Sequence, residues 1–422
     1  MPICPRRLDA GQAGTAAVPV ASSVVRVILF TGKGGVGKTT AAAGTATLAG
    51  RSGLKTLVMS TDAAHSLADA FGCPVGAEPV EVDSYVWVQQ VDAQQRFERS
   101  WSTVQNYLRT VLDASGVDPI AAEELTVLPG AEEVLALLEL RDQVASGRWD
   151  LVIVDCAPTA ETLRLLALPE ALAWYMDRVF PTERRVVTAL RPLLAKAAGV
   201  PMPRADVFDA IERLHADLGD VHDLLVGPGS SVRLVLTPES VVLAEARRTF
   251  TTLSLYGYRV DGVVANRVFP DGGADAWRRG WVDAQRDRLV EVDRSFAPLP
   301  VWRAAYRAAE PVGPAALMEF GSQIYGGDDP FAEPAGEPMT VTRDGDRIDL
   351  RLALPLADTG NVQLARHGGD LVVTVGSYRR VLALPAMLTR LDIHKARVID
   401  GRLEVRFSSA PGDVADAEGS ND

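Results

Sequence analysis

The sequence predicts an α/β protein with a mostly parallel sheet and helical insertions, followed by a small C-terminal all-β sandwich. Three observations carry this prediction. Short apolar, β-branched runs alternate with helix-like segments through most of the chain. A glycine-rich stretch, "GKGGVGKT" at 32–39, lies between one such run and a helix-like segment. Beyond the stretch "GSQIYGGDDPFAEPAGEP" (321–338) the hydrophobic period changes from helical to two.

The first strand is "VVRVILFTG" (24–32), a continuous apolar run of the kind buried on both faces of a parallel sheet. A helix follows from Lys38 to about Arg51. Further strands are expected at "LKTLVMSTD" (54–62), "VWVQQVD" (86–92), "DLVIVDCAP" (150–158), "SVRLVLTPE" (231–239), "RVDGVVANRVF" (259–269) and "FAPLPVW" (296–302). Two intervals, about 93–149 and 159–230, exceed a plain crossover. Apolar residues at three- and four-residue steps make both helical insertions. Gly, Pro and acidic residues mark 326–336 as a linker. Residues 337–408 then read as short strands joined at "RDGD", "HGGD" and "IDGR". Residues 1–23 are expected to form a disordered arm rather than a signal peptide, and 409–422 a disordered acidic tail.

At 422 residues the chain is too long for one ordinary core, which sets the large domain at 24–325 apart from the tail domain. The net charge of −12 argues against nucleic acid as a partner, because no basic field displaces counterions. No apolar run is long enough to span a bilayer. Three scattered cysteines, Cys4, Cys73 and Cys156, point to a reducing, cytoplasmic setting and against a disulfide framework.

"GKGGVGKT" fits the phosphate-binding loop G-x-x-x-x-G-K-[ST], so the large domain reads as a P-loop NTPase. Its backbone, Gly32, Lys33, Gly34, Gly35, Val36 and Gly37, is expected to wrap phosphate oxygens at the positive end of the following helix. Lys38 should bridge the terminal phosphates, Thr39 should ligate Mg²⁺, and Thr40 should bond the phosphate nearest the ribose. Ligands of open parallel sheets bind beyond the carboxyl ends of strands. That rule puts Asp62 near the γ-phosphate, to orient the attacking water, and Asp155 near Mg²⁺, to hold it through water.

The second lysine of the loop, Lys33, resembles the signature lysine of the deviant phosphate-loop ATPases. That resemblance implies a charge donated in trans across a homodimer to the partner's nucleotide. Three blocks then become specific: "GKGGVGKTT", "STDAAHSLADAF" and "DCAPTAETLRLL" resemble the loop and two switches of the arsenite-pump and tail-anchored-protein targeting ATPases. "LPGAEEVLAL" (128–137) is similar to another block of that family, and "VVANRVF" (263–269) to the segment whose asparagine recognises adenine, here Asn266. The resemblance implies ATP as substrate, Asp62 as the catalytic carboxylate and a nucleotide-closed homodimer. Ala63, Cys156, Ala160 and Glu161 depart from the family's switches, and neither its metalloid-binding cysteine triad nor its C-x-x-C zinc pair is present. The tail domain resembles the α-crystallin sandwich of small heat-shock proteins, with Gly401-Arg402-Leu403 at its G-x-L turn.

Three functions are therefore carried forward. The first is a dimeric ATPase that handles an apolar polypeptide client, such as a tail-anchored membrane protein, with a membrane partner. The second is the energising subunit of an anion or metalloid exporter. The third is a low-turnover, nucleotide-dependent regulatory module.

Overall fold

The computed structural model describes residues 25–61, 66–91, 131–156, 205–272, 275–334, 336–344, 347–357 and 359–408. The sequence-based expectations for the N-terminal arm, the acidic tail and most of both insertions lie outside them.

The large sheet contains β1 (Arg26–Thr31), β2 (Thr56–Ser60), β3 (Val80–Asp83), β4 (Val86–Gln90), β5 (Leu151–Asp155), β6 (Ser230–Leu236), β7 (Val260–Val268) and β8 (Val301–Ala305). Their spatial order is β3-β4-β2-β5-β1-β6-β7-β8. All neighbours pair parallel except β3 with β4. The apolar runs account for this: β1, β2, β4, β5 and β6 are buried at every residue, as strands covered by helices on both faces must be. Each fully buried Val, Leu, Ile or Phe contributes about 1.5–3 kcal/mol.

The connecting helices are α1 (Lys38–Arg51), α2 (Ser66–Phe71), α3 (Ala131–Ala145), α4 (Ala205–Val226), α5 (Ser240–Leu255), α6 (Ala276–Phe296) and α7 (Pro314–Tyr325). α3 and α4 are the described parts of the two insertions.

Two strand expectations are corrected. An extra antiparallel edge strand, β3, precedes the expected third strand, turning at Tyr85 with φ 64°. The expected start of the last strand at Phe296 belongs to α6, and β8 begins only at Val301 after a Pro-containing turn.

The C-terminal unit contains β9 (Met339–Asp344), β10 (Arg347–Ala353), β11 (Val362–His367), β12 (Asp370–Val375), β13 (Tyr378–Ala383), α8 (Ala386–Thr389), β14 (Asp392–Ile399) and β15 (Arg402–Ser408). They form two antiparallel sheets, β14-β15-β10-β9 and β11-β12-β13. Period-two alternation buries Ile348, Leu350 and Leu352 of β10 with Leu403, Val405 and Phe407 of β15, against Leu371, Val373 and Leu382 of the other sheet. Asp400 and Gly401 both take positive φ, 49° and 68°, the twist a two-residue hairpin needs.

The joint between the two units is stitched. Beneath the large sheet, Arg26 and Arg233 both donate to Asp261 Oδ2, at 3.0 and 2.7 Å. Arg233 is 1% exposed and lies 4.7 Å from the Trp302 ring. Burial alone would lower its pKa, but Asp261 and Tyr325 outweigh burial and raise it. The same two arginines hold the following loop: Arg233 donates to Pro330 O at 2.7 Å and Arg26 to Phe331 O at 3.3 Å. Trp302 adds Asp328 at 2.9 Å. The stretch expected as a linker is thus bound to the sheet.

α5 makes the second contact. Arg380 Nη1 donates to Leu255 O at 2.6 Å, capping the carboxyl end of the helix. Thr251 Oγ1 donates to Pro355 O at 2.5 Å, and the Leu255 side chain packs into the core of the small unit. Burial and the nearby Arg380 guanidinium together push His222 of α4 below the usual histidine range, Asp223 opposing them.

Two outcomes follow from these contacts. Arg233→Met should lower the unfolding free energy by about 3 kcal/mol in urea titration, because it strips a buried carboxylate of its closest cation. His222 sits below its unfolded value near 6.5, so the unfolded chain binds the extra proton. Stability should therefore fall as pH drops through that value, and His222→Gln should reduce the loss of Tm between about pH 7.5 and about pH 5.5.

Candidate functional site

β1 ends at Thr31 and the glycine-rich loop starts at once, delivering the chain to α1 at Lys38. The loop lies tightly on its neighbours. A Cβ on Gly32 would meet the Val235 carbonyl at 2.1 Å, and Gly37, at φ 93°, leaves no room for one beside the Asn266 amide at 2.3 Å. Val36 is buried and anchors the loop, while Gly34 and Gly35 are exposed. The first turn of α1 has no acidic residue, so its positive end is left for an anion.

Lys38 is 8% exposed, and its Nζ donates to the Lys33 carbonyl at 3.4 Å across the loop. Lys33 turns the other way. Its ammonium lies 3.8 Å from Glu245 Oε2 on α5, with both side chains partly exposed. Thr39 and Thr40 face a cavity of about 500 Å³, which Ser66 and Asp69 of α2, Asn266 and Arg267 at the end of β7, and the loop 305–312 also line.

Register brings Asp155 to the same place. It ends β5, opposite Phe30 of β1 and Ser60 of β2, and it is buried at 1% exposure. Thr39 Oγ1 donates to Asp155 Oδ2 at 2.7 Å. A hydroxyl and a carboxylate in contact are hard oxygen donors that suit Mg²⁺. Among the described residues no group of three or more His, Cys, Asp or Glu could hold a metal on its own. Mg²⁺ needs no such group, since it keeps waters and substrate oxygens.

Asn266 is placed differently from a residue devoted only to a base. Its Nδ2 donates to Val36 O at 2.8 Å, and its Oδ1 accepts the Arg267 N–H at 2.8 Å. Asn266 thereby supports the phosphate loop and stabilises the φ of 56° at Arg267, an uncommon value for a residue with a Cβ. Asp62 lies outside the described residues. β2 ends two residues before it, and Thr61 N donates to Asp155 O at 3.0 Å. Ala63, Ala160 and Glu161 lie outside them too.

The sequence reading missed Glu245, Arg267 and the whole loop 305–312. That loop carries no motif, and only its position after β8, at the carboxyl edge of the sheet, marks it. The two described thiols, Cys73 and Cys156, are both shifted toward the protonated form. Burial pushes Cys73 up, and burial, then Asp155, pushes Cys156 far up, against the opposing charge of Lys38. Both cysteines are free.

Comparison with known proteins agrees with this geometry. The family model described as anion-transporting ATPase matches residues 25–326, and one described as an HSP20-like domain found in ArsA matches 345–407. A Prosthecochloris vibrioformis protein carrying the name arsenical pump-driving ATPase is 35% identical over 91% of this chain and 96% of its own. An Aquifex aeolicus protein of the same name is 32% identical, over 89% and 98%. A Babesia bovis protein named an ATPase ASNA1 homolog is 30% identical over 58% of this chain and 68% of its own. With a phosphate loop, a threonine–aspartate pair and a nucleotide-sized cavity at one edge of a parallel sheet, and with these matches over most of its length, the chain belongs to the anion-transporting ATPase family, the ArsA-type ATPases.

Proposed function

We propose that the protein is a Mg²⁺-dependent ATPase that closes as a homodimer on its nucleotide and couples hydrolysis to handling an apolar polypeptide client. The observation that carries the hydrolytic part is the Thr39–Asp155 contact at the amino end of α1, beside a cavity large enough for a nucleoside. In this reading the loop N–H groups and the α1 dipole bind the phosphates. Lys38 leaves the Lys33 carbonyl to bridge the terminal phosphates, and Thr40 bonds the phosphate nearest the ribose. Thr39 and Asp155 would hold Mg²⁺, the aspartate through water; the metal supplies neutralisation of phosphate charge. Asp62 orients the attacking water.

Lys33 acts in trans in this reading, and its ion pair with Glu245 gives that step a cost. The pair is partly exposed, so its contribution is small and screened. Closure exchanges Glu245 for the partner's phosphate, a stronger and drier partner for an ammonium. An HSP20-like unit docked on α5 supports a polypeptide client, because such sandwiches bind chains rather than react with them. Among the described residues no helix is long and apolar enough to cross a membrane. A cytoplasmic setting fits the free cysteines.

The names of two bacterial relatives, from Prosthecochloris vibrioformis and Aquifex aeolicus, favour a second reading, an energising subunit for arsenical export. Against it, burial shifts both described thiols, Cys73 and Cys156, toward the protonated form, and among the described residues neither joins a metal-binding group. Stimulation of turnover by arsenite would decide for export; capture of a synthetic apolar helix by the ATP-bound protein would decide for the client. Turnover that stays negligible with either would leave the regulatory module.

Four results are expected in purified protein. Lys38→Ala should abolish ATP binding in calorimetry. Asp62→Asn should bind ATP normally and lose turnover by on the order of 10²-fold or more; unchanged kcat would remove Asp62 from the mechanism. Lys33→Ala should bind nucleotide as a monomer yet lose dimerisation and hydrolysis, the latter by on the order of 10³-fold. Mixing the Lys33→Ala and Asp62→Asn proteins should recover part of the activity, since one site of the mixed dimer is intact.

A further inference from the structure

One ring of an aromatic pair, Tyr306, forms part of the cavity rim, and neither the phosphate loop nor the carboxylates account for it. β7 and β8 are parallel neighbours whose last residues, Val268 and Ala305, are in register. The next residue of each strand is aromatic: Phe269 and Tyr306. Tyr306 N donates to Val268 O at 2.7 Å, which carries the pairing one residue further. The two rings stack, with centroids 5.2 Å apart and planes 14° from parallel.

Phe269 is fixed from behind. Its N–H donates to Gln285 Oε1 at 2.7 Å, and Gln285 Nε2 donates to Arg267 O at 3.1 Å. Its ring also touches Trp281 of α6, with centroids 6.2 Å apart. Tyr306 therefore rests on a supported ring, yet it is 50% exposed and lines the cavity that holds Thr39 and Thr40. A flat apolar ring left half open in a cavity wall is a stacking surface.

Asn266 leaves that role open. With one amide N–H given to Val36 O and one lone pair to Arg267 N–H, it keeps one donor and one acceptor position for the edge of a base. It has no face to offer. The neighbouring Arg307 is engaged by Glu319 at 2.7 Å and Gln323 at 3.2 Å on α7. Among the described residues lining the cavity, Tyr306 is the one with an open aromatic surface.

We propose that Tyr306, backed by Phe269, is the platform on which the purine ring of the nucleotide stacks, and that it sets the preference for a purine over a pyrimidine triphosphate. This rests on the reading of the cavity as the nucleotide site. The larger π-face of a purine covers more of the ring, and aromatic–base stacking changes affinity by on the order of 10-fold.

The test measures equilibrium binding of ATP, CTP and inorganic tripolyphosphate to the full chain and to Tyr306→Phe, Tyr306→Leu and Tyr306→Ala. The proposal expects Tyr306→Leu and Tyr306→Ala to weaken ATP by on the order of 10-fold and to narrow the ATP/CTP ratio. Tyr306→Phe should match the parent protein, and all four proteins should bind tripolyphosphate equally, which also verifies that the loop is folded. ATP affinity unchanged in Tyr306→Leu would overturn the proposal, as would tripolyphosphate weakened in step with ATP. If the parent bound neither ATP nor tripolyphosphate, the nucleotide-site reading itself would fall and the platform with it.

Discussion

Parallel register decides where β1, β2 and β5 stop, and the site depends on it. Phe30, Ser60 and Asp155 lie side by side across three strands. The loop after β1, the segment after β2 and the carboxylate at the end of β5 therefore leave the sheet at one level. A slip of one residue would turn Asp155 to the opposite face and break its contact with Thr39. All three strands are buried at every residue, so their register is held by close packing of side chains on both faces of the sheet. Chemistry at the edge is thus paid for by hydrophobic contacts in the centre.

Much of this was legible in the amino-acid sequence, for identifiable reasons. β1, β2 and β5 are continuous β-branched runs, a pattern that amphipathic helices do not produce. The phosphate loop needs glycines where backbone must approach a ligand or a neighbour, so its spacing is visible. Asp400-Gly401 announces a hairpin because few other pairs take two positive φ values in succession. β3 escaped because four half-buried residues, "VEVD", have no apolar run to show. The Asn266–Val36 bond joins residues 230 positions apart, and no local pattern encodes it. The bonds that tie the expected linker 326–336 to the sheet use its backbone carbonyls, at Pro330 and Phe331, which leave no trace in residue type.

The buried Arg26–Asp261–Arg233 group shows how a polar cluster can lie within an apolar framework. Two cations share one carboxylate, and the surplus charge is met by a tyrosine hydroxyl, loop carbonyls and aromatic faces. Such a group adds little net stability compared with a well-packed apolar replacement. Its geometric demands are strict, however, and they hold the segment leading to the small unit in one path.

Helix α5 has a different role at each end. Glu245, near its start, is the counter-ion of Lys33, while Leu255, at its finish, belongs to the core of the C-terminal sandwich. The sandwich cannot melt without exposing Leu255 and releasing Arg380 from the helix terminus. The stabilities of the two units are therefore coupled through α5, and binding energy gained at the glycine-rich loop reaches the distant sandwich only in proportion to that coupling.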